Sequence, residues 1–368
     1  MKHKNMSKKI KQRVFVGLSG GVDSSVSAAI LKEREFDVIG AFIKVWTPPG
    51  LPCPWREDRR DAMRVAASLK IPFVTIDLEK EYKKEIIDYM ISEYKAGRTP
   101  NPDMMCNKRI KFGAFLKKAV DSGASFVATG HYARIKNGND GKYKLLKGVD
   151  GNKDQSYFLA MLNQSQLSKI IFPVGGYTKP QVRKKAVKYK LPTALKKDSQ
   201  GLCFVGEVDM KDFLKNFIKP KQGKVLSEKG SVIGGHDGVP FLTIGQRHGF
   251  RLFDKDASRK PHYVIKKDIK TNTITVSEKP LQSEFAGKNV SLGNINWCSE
   301  NAPAIGAKNI YSCVIRYRGD EIKCFIDKIN DKKNTAEIIM KKSQYSISGG
   351  QFMAIYKNDE CLGGGAIL

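Results

Sequence analysis

The sequence predicts an α/β chain: a parallel sheet covered by helices, then a small central β-rich domain, then a C-terminal antiparallel β-barrel. Three observations predict it. Up to about residue 200, short apolar strand-like runs alternate with segments of helical spacing, which implies a parallel sheet with both faces covered. After residue 220 the chain becomes dense in glycine, with short β-like pieces and no long helical pattern. From about 285 onward the runs look like antiparallel strands and suit a small barrel. A chain of 368 residues is expected to hold two or three domains. The changes of texture place these at 1–210, 211–280 and 281–368.

In chain order, "VFVGL" (14–18), "DVIGAFIKVW" (37–46), "PFVTIDL" (72–78) and "SFVATGHY" (125–132) read as strands. Between them, "RRDAMRVAASLK" (59–70), "EYKKEIIDYMISEYKA" (81–96) and "KRIKFGAFLKKAVDSG" (108–123) carry the apolar spacing of helices. A further helix is expected at "TKPQVRKKAVKYK", where Thr178 and Gln181 have capping-box spacing. In the last third, "YSCVIRYRGDEIKCFIDKI", "TAEIIMKK" and "GGQFMAIYKNDECLGGGAIL" supply the barrel strands.

Lys and Arg number 65 against 37 Asp and Glu, a formal net charge of +28. Lysine-rich composition alone often means no more than solubility, but a field of this size attracts a polyanion, and nucleic acid comes first. No run of ~18 apolar residues is present, so a membrane span is not expected. The opening "MKHKNMSKKIKQR" lacks the apolar core of a secretory signal, and a transit peptide is not expected when the first strand begins at Val14. Seven scattered cysteines (Cys53, Cys106, Cys203, Cys298, Cys313, Cys324 and Cys361) form no CxxC. That argues against a disulfide scaffold, a zinc site or an iron–sulfur cluster, and for a reducing, cytoplasmic compartment.

The stretch Ser19-Gly20-Gly21-Val22-Asp23-Ser24 stands between the first strand and an amphipathic helix. A glycine turn there offers backbone N–H groups and a helix N-terminus to an anion. No Lys-Ser/Thr follows the glycines and the G-x-G-x-x-G spacing is absent, which excludes the Walker and dinucleotide loops. The hydroxyls and amides suit a pyrophosphate, and Asp23 could orient Mg²⁺ on it. A plain glycine turn capped by Ser24 is the bland alternative.

This loop resembles the signature of the PP-loop ATP-pyrophosphatase family, whose Rossmann-like domain cleaves ATP to AMP and pyrophosphate while adenylating a carbonyl oxygen. The loop does not choose the substrate, since asparagine synthetases, argininosuccinate synthetase, tRNA lysidine synthetase and several thiolases share it.

Two cysteines narrow the field. Cys106 opens a predicted helix beside Lys108, Arg109 and Lys111, which should favour its thiolate. Cys203 lies in a glycine-containing turn after Lys196 and Lys197. An activated carbonyl needs a nucleophile. A persulfide is one that transfers sulfur, and a second thiol can release the product. The other five cysteines are read as inert, Cys53 as an incidental surface thiol.

The whole chain from Val14 onward resembles the tRNA 2-thiouridylase family within the PP-loop enzymes. SGGVDS, AGRTPNPD-x-x-CN, IKFGAFL, ATGHY, KDQSYFL, FPVG, KPQVR, KDS-x-G-x-CF-x-GE, GQR-x-G and CLGGG stand in that family's order. The resemblance implies ATP-dependent 2-thiolation of the wobble uridine in Lys, Glu and Gln tRNAs. Cys203 would carry the persulfide and attack the adenylated carbon. Cys106 would then release the product, leaving a Cys106–Cys203 disulfide, or would liberate hydrogen sulfide first. Asp103 would serve as acid/base, with Asn101 and Pro102 beside the target base.

By the same resemblance ATP would lie along Gly17, Leu18, Ser19, Gly20, Gly21, Val22, Asp23 and Ser24, with Ile43 and Gly130 near adenine or ribose. His131, Lys153, Asp154 and Gln155, and in the barrel Arg316, Tyr317 and Gln351, would contact tRNA. His131 also reads as a histidine closing a strand, and Arg316 with Tyr317 as a solvated strand face. Position 43 is Ile where many relatives carry Met, and "TPPGLPCPWREDRR" (47–60) departs from the familiar pattern. The implied cofactors are ATP and Mg²⁺, with no iron–sulfur cluster or zinc. The implied partners are tRNA and a sulfur donor, either a relay protein or a cysteine desulfurase, with no membrane.

Two rivals stand beside this reading. Another PP-loop synthetase, tRNA- or amide-modifying, would need no cysteine chemistry. A non-enzymatic basic RNA-binding module would need no intact Ser19, Asp23 and Ser24.

Overall fold

The computed structural model describes residues 11–48, 55–197, 209–254, 260–279, 287–344 and 347–368. The N-terminal part alternates β1 (Arg13–Gly17), α1 (Val22–Glu33), β2 (Asp37–Lys44), α2 (Trp55–Ser68) and β3 (Phe73–Asp77). Next, α3 (Glu79–Tyr82) passes through a π-helical stretch at Lys83–Asp88 into α4 (Tyr89–Lys95). After a proline-rich bend, α5 (Pro102–Met105), a second π-helical stretch (Cys106–Phe115) and α6 (Leu116–Asp121) form one continuous rod. Then come β4 (Phe126–Ala128), the hairpin β5 (Ala133–Asn137) and β6 (Tyr143–Lys147), α7 (Gln164–Leu167), β7 (Ile170–Ile171) and α8 (Lys179–Lys188).

β3-β2-β1-β4-β7 is a parallel sheet, as the alternation predicts. In β1, Val14 and Val16 enter the core beneath α1 and α8, while Phe15 enters the core beneath the helices of residues 82–119. Burial on both faces is why this strand reads as an unbroken apolar run. Thr178 N donates to Gln181 Oε1 at 2.8 Å, so the capping expected at the start of α8 is present.

The central domain follows α9 (Met210–Lys215) with β8 (Gly223–Leu226), β9 (Val232–His236), β10 (Phe250–Leu252), β11 (Tyr263–Asp268) and β12 (Thr273–Ser277), ordered β10-β9-β8-β12-β11. The C-terminal strands are β13 (Gly287–Trp297), β14 (Tyr311–Val314), β15 (Ile322–Asn330), β16 (Thr335–Gln344), β17 (Phe352–Lys357) and β18 (Glu360–Ile367). They run β13-β16-β15-β14-β17-β18, and β18 returns to β13, closing an antiparallel barrel. Closure explains the Gly363-Gly364-Gly365 run. A Cβ on Gly363 would stand 2.0 Å from Asn296 O, and one on Gly364 2.0 Å from Met353 O. β18 is squeezed between β13 and β17, where only glycine fits.

Two readings needed correction. The strand expected over "SFVATGHY" stops at Ala128, so His131 lies beyond it. Residues 133–147, assigned no element from the sequence, form a hairpin that joins the barrel rather than the parallel sheet, Leu145 pairing with Cys361.

Candidate active site

The loop from Gly17 to Ser24 turns at the C-terminal end of β1 and runs straight into α1. Gly20 has φ +74°, and a Cβ there would lie 2.5 Å from Asp58 O, so α2 closes over the turn. Lys196 holds that end of α2 through Asp58 (2.9 Å) and Asp61 (2.8 Å). Leu18 points into the core. Ser24 Oγ accepts from Ser19 N at 3.2 Å, and both Ser24 Oγ (3.2 Å) and Ser25 Oγ (2.7 Å) donate to Gly21 O. These hydroxyls tighten the turn without capping α1, whose N-cap Gly21 provides no side-chain acceptor. The first-turn N–H groups that begin at Val22 remain for an anion. Gly130 backs this arrangement: a Cβ on it would stand 2.6 Å from Ser24 N. Ile43 lies half-buried on β2 beside Ile76 of β3.

Asp23 is held by two residues from outside the loop. Its carboxylate accepts from Lys179 Nζ at 2.8 and 2.9 Å and from Tyr132 Oη at 2.8 Å. Neither Lys179 nor Tyr132 was singled out from the sequence. Lys179 reads there only as the first residue of a helix, and Tyr132 only as the end of a strand.

The second part of the site is the start of the α5 rod. Asn101 Oδ1 caps it by accepting from Met104 N at 3.1 Å, with Pro102 at the first helical position, where a missing N–H costs nothing. Asp103 and Cys106 then stand one turn apart on the same rod. Burial raises the Asp103 carboxyl above its usual range, with Lys111 opposing. Cys106 is 8% exposed. The three basic neighbours do not act alike: Arg109 pairs with Glu85 at 3.3 Å, and burial lowers the Lys108 ammonium. The π-helical winding begins at Cys106 itself, the kind of irregularity found at functional positions.

His131 connects the two parts. It is buried between Phe112 and Phe172, ring centroids 5.8 Å away in each case, and its Nδ1 lies 2.6 Å from Thr129 Oγ1. Desolvation, then the Lys111 charge, hold it well below its ordinary pKa, so the ring is neutral. Lys111 thus bears on both Asp103 and His131.

The remaining candidates fall into two groups. Asp154 accepts from Gly148 N, Ser156 N and Ser156 Oγ, Gln155 Oε1 accepts from Tyr132 N, and Gln351 donates to Thr99 and Pro100 carbonyls. These side chains knit the protein together. Arg316 is exposed and Lys153 partly so, while Tyr317 packs on Phe158 with centroids 4.6 Å apart. Cys203 and Cys53 lie outside the described residues.

Comparison with known proteins agrees with the fold class. Residues 12–207 match the family profile described as tRNA methyl transferase HUP domain, 211–278 its PRC-barrel domain, and 288–367 the aminomethyltransferase beta-barrel domain. The tRNA-specific 2-thiouridylase MnmA of Geobacillus thermodenitrificans is 44% identical over 357 residues, covering 96% of this chain and 94% of that protein. The chain belongs to the tRNA-specific 2-thiouridylase family. The Bacillus cytotoxicus member of that family is also 44% identical, with the same coverage. Among solved structures, the U34-tRNA thiolase NcsA from Methanococcus maripaludis, which holds a [4Fe-4S] cluster, overlaps 56% of this chain and 67% of its own. Its TM-score is 0.35 and its identity 19%, too slight a likeness to carry weight. Among the described residues of this 2-thiouridylase-family chain, no helix is long and apolar enough to cross a membrane, and no group of three or more His, Cys, Asp or Glu side chains could hold a metal.

Proposed function

We propose that this chain is an ATP-dependent tRNA-uridine 2-sulfurtransferase, acting in the cytoplasm on the wobble uridine of Lys, Glu and Gln tRNAs. The observation that carries the reading is the pairing of an SGGVDS loop, open at the α1 N-terminus, with Asp103 and Cys106 one turn apart on a neighbouring helix. A PP-loop synthetase without sulfur chemistry has no use for that cysteine.

The triphosphate would lie across the N–H groups of α1, with Mg²⁺ neutralising the leaving pyrophosphate. The uridine 2-oxygen attacks the α-phosphorus, and the P–O bond to pyrophosphate breaks. The outer sulfur of a persulfide on Cys203, supplied by a relay protein or a cysteine desulfurase, adds to C2, and AMP leaves with the former carbonyl oxygen. The Cys106 thiolate then attacks the Cys203 sulfur, breaking the S–S bond. This releases 2-thiouridine and leaves a Cys106–Cys203 disulfide that an external thiol reduces. Asp103, whose carboxyl burial raises above its usual range, moves the proton at the uracil ring. Arg316 and Lys153 offer charge to the RNA backbone, part of the +28 that draws tRNA in.

The test is single-turnover sulfur transfer with ATP, Mg²⁺, a persulfide source and unmodified tRNA, the nucleosides being read by mass spectrometry. Wild type should form 2-thiouridine, and Cys106→Ser and Cys203→Ser should not. AMP formation without a thionucleoside would keep the PP-loop chemistry and sink the thiolase.

A further inference from the structure

We propose that Gln351 is a positioning residue: the C-terminal barrel uses its amide to set where Asn101, Asp103 and Cys106 stand. The inference rests on the reading above, in which Asp103 and Cys106 do the chemistry.

The segment Thr99-Pro100-Asn101-Pro102 leads into the α5 rod. Pro100 and Pro102 have no N–H, so every second residue of this segment lacks a backbone donor and its carbonyls carry more of the hold. Gln351 Nε2 does this, donating to Thr99 O at 3.0 Å and to Pro100 O at 3.2 Å. An amide nitrogen carries two protons, one available for each carbonyl.

The residues that present Gln351 are themselves locked. Its N–H donates to Ser348 O (3.2 Å) and its carbonyl accepts from Ile367 N (2.7 Å) at the end of β18. Thr99 N donates to Gly349 O at 2.8 Å. Gly350 has φ +90°, and a Cβ there would stand 3.0 Å from Thr99 O, so the approach requires glycine. A second path runs beside the first: Asn101 Nδ2 donates to Tyr157 Oη (3.4 Å), and Tyr157 Oη donates to Phe352 O (3.0 Å). The central domain joins through hydroxyls, Ser348 donating to Thr99 and Thr99 to Thr243, each at 3.3 Å. All three domains therefore meet on the residue pair just before the helix that carries Asp103 and Cys106.

The experiment uses the full-length protein with Gln351→Met, which keeps the side-chain length and removes both donors. Three quantities are read: kcat for 2-thiouridine formation, tRNA affinity by filter binding, and the rate of Cys106 alkylation by iodoacetamide against pH without tRNA or ATP, followed by peptide mass spectrometry. Expected are a fall of about tenfold in kcat, tRNA affinity within twofold of wild type, and a change of threefold or more in Cys106 alkylation. Weaker tRNA binding with unchanged kcat and alkylation would overturn the proposal and make Gln351 an RNA contact. Three unchanged quantities would overturn it equally. If wild type makes no 2-thiouridine, the functional reading fails, while the alkylation rate still decides whether Gln351 positions Cys106. Gln351→Glu, similar in shape and lacking both donors, reads the same quantities should Gln351→Met fail to fold.

Discussion

Lys179 Nζ grips both carboxylate oxygens of Asp23, at 2.8 and 2.9 Å, across 156 residues of sequence. The pair ties the first turn of α8 to the first turn of α1 beside the phosphate loop. It also bears on the proposed magnesium ion, which Asp23 reaches only if Lys179 gives way. The lysine side chain is 12% exposed and the aspartate 30%. Removing one partner therefore leaves a poorly solvated charge, at a cost of about 3 kcal/mol. Lys179→Met should lower the free energy of urea unfolding by that order. The double variant Asp23→Asn/Lys179→Met should regain more than half of it. A loss under about 0.5 kcal/mol in the single variant would show that the pair is solvated and slack.

His131 gives the structure an acid-sensitive point. Its folded pKa lies well below the ordinary 6.5, chiefly through desolvation. Below pH 6.5 the unfolded chain binds a proton that the native ring refuses. Stability contributed here is thus fully present above pH 6.5 and falls as pH drops toward the folded pKa, by at most about 1.4 kcal/mol per pH unit. His131→Gln should flatten the stability–pH curve between pH 6.5 and 5 relative to wild type. His236, also depressed by burial, contributes to both curves and cancels in the difference. Identical slopes would mean that His131 is hydrated in solution.

Asp103 has the opposite sign for stability. Its folded pKa is raised above the ordinary 3.8, chiefly by desolvation. As pH rises through the window above 3.8, the native carboxyl must ionise where burial disfavours it, and stability is lost. Asp103→Asn escapes this penalty. The stability of the variant relative to wild type should therefore rise with pH from about 3.8 and level off above the folded pKa. At the same time thiolation should fall by at least about 100-fold if the carboxyl transfers a proton. Unchanged turnover would remove Asp103 from the chemistry and leave it a structural acid.

Local pattern carried much of this architecture and little of its assembly. The loop at Gly17–Ser24 was legible because an apolar strand, a glycine turn and an amphipathic helix are contiguous, and the start of α8 because Thr178 and Gln181 meet across three residues. The hairpin at 133–147 was not, because its strands are short and lysine-rich and their burial comes from β18, over 200 residues away. Lys179 and Tyr132 stayed hidden for the same reason: what makes them matter is Asp23, brought near only by the fold. Asp154, Gln155 and Gln351 were legible as polar residues in motifs, but sequence cannot tell an outward contact from an internal hydrogen bond.

Gly130 offers the sharpest steric test of the loop. A methyl group on it would sit 2.6 Å from Ser24 N, 2.8 Å from the Asp23 carbonyl carbon and 3.0 Å from Asp23 Cβ. Two of these atoms are backbone, so no rotamer change relieves the clash, and the loop must move or the 129–131 segment must. Overpacking of this kind costs about 1–3 kcal/mol. Gly130→Ala should therefore destabilise the protein by that amount and raise the KM for ATP at least tenfold, because displacing Ser24 re-aims the first-turn N–H groups of α1. Gly176→Ala is the control: nothing lies within 4 Å of its Cβ, so stability and KM should stay at the wild-type values. Destabilisation with an unchanged KM would mean that the loop shifts as a unit or that ATP is held elsewhere. ATP binding by calorimetry, measured on both variants, separates those outcomes.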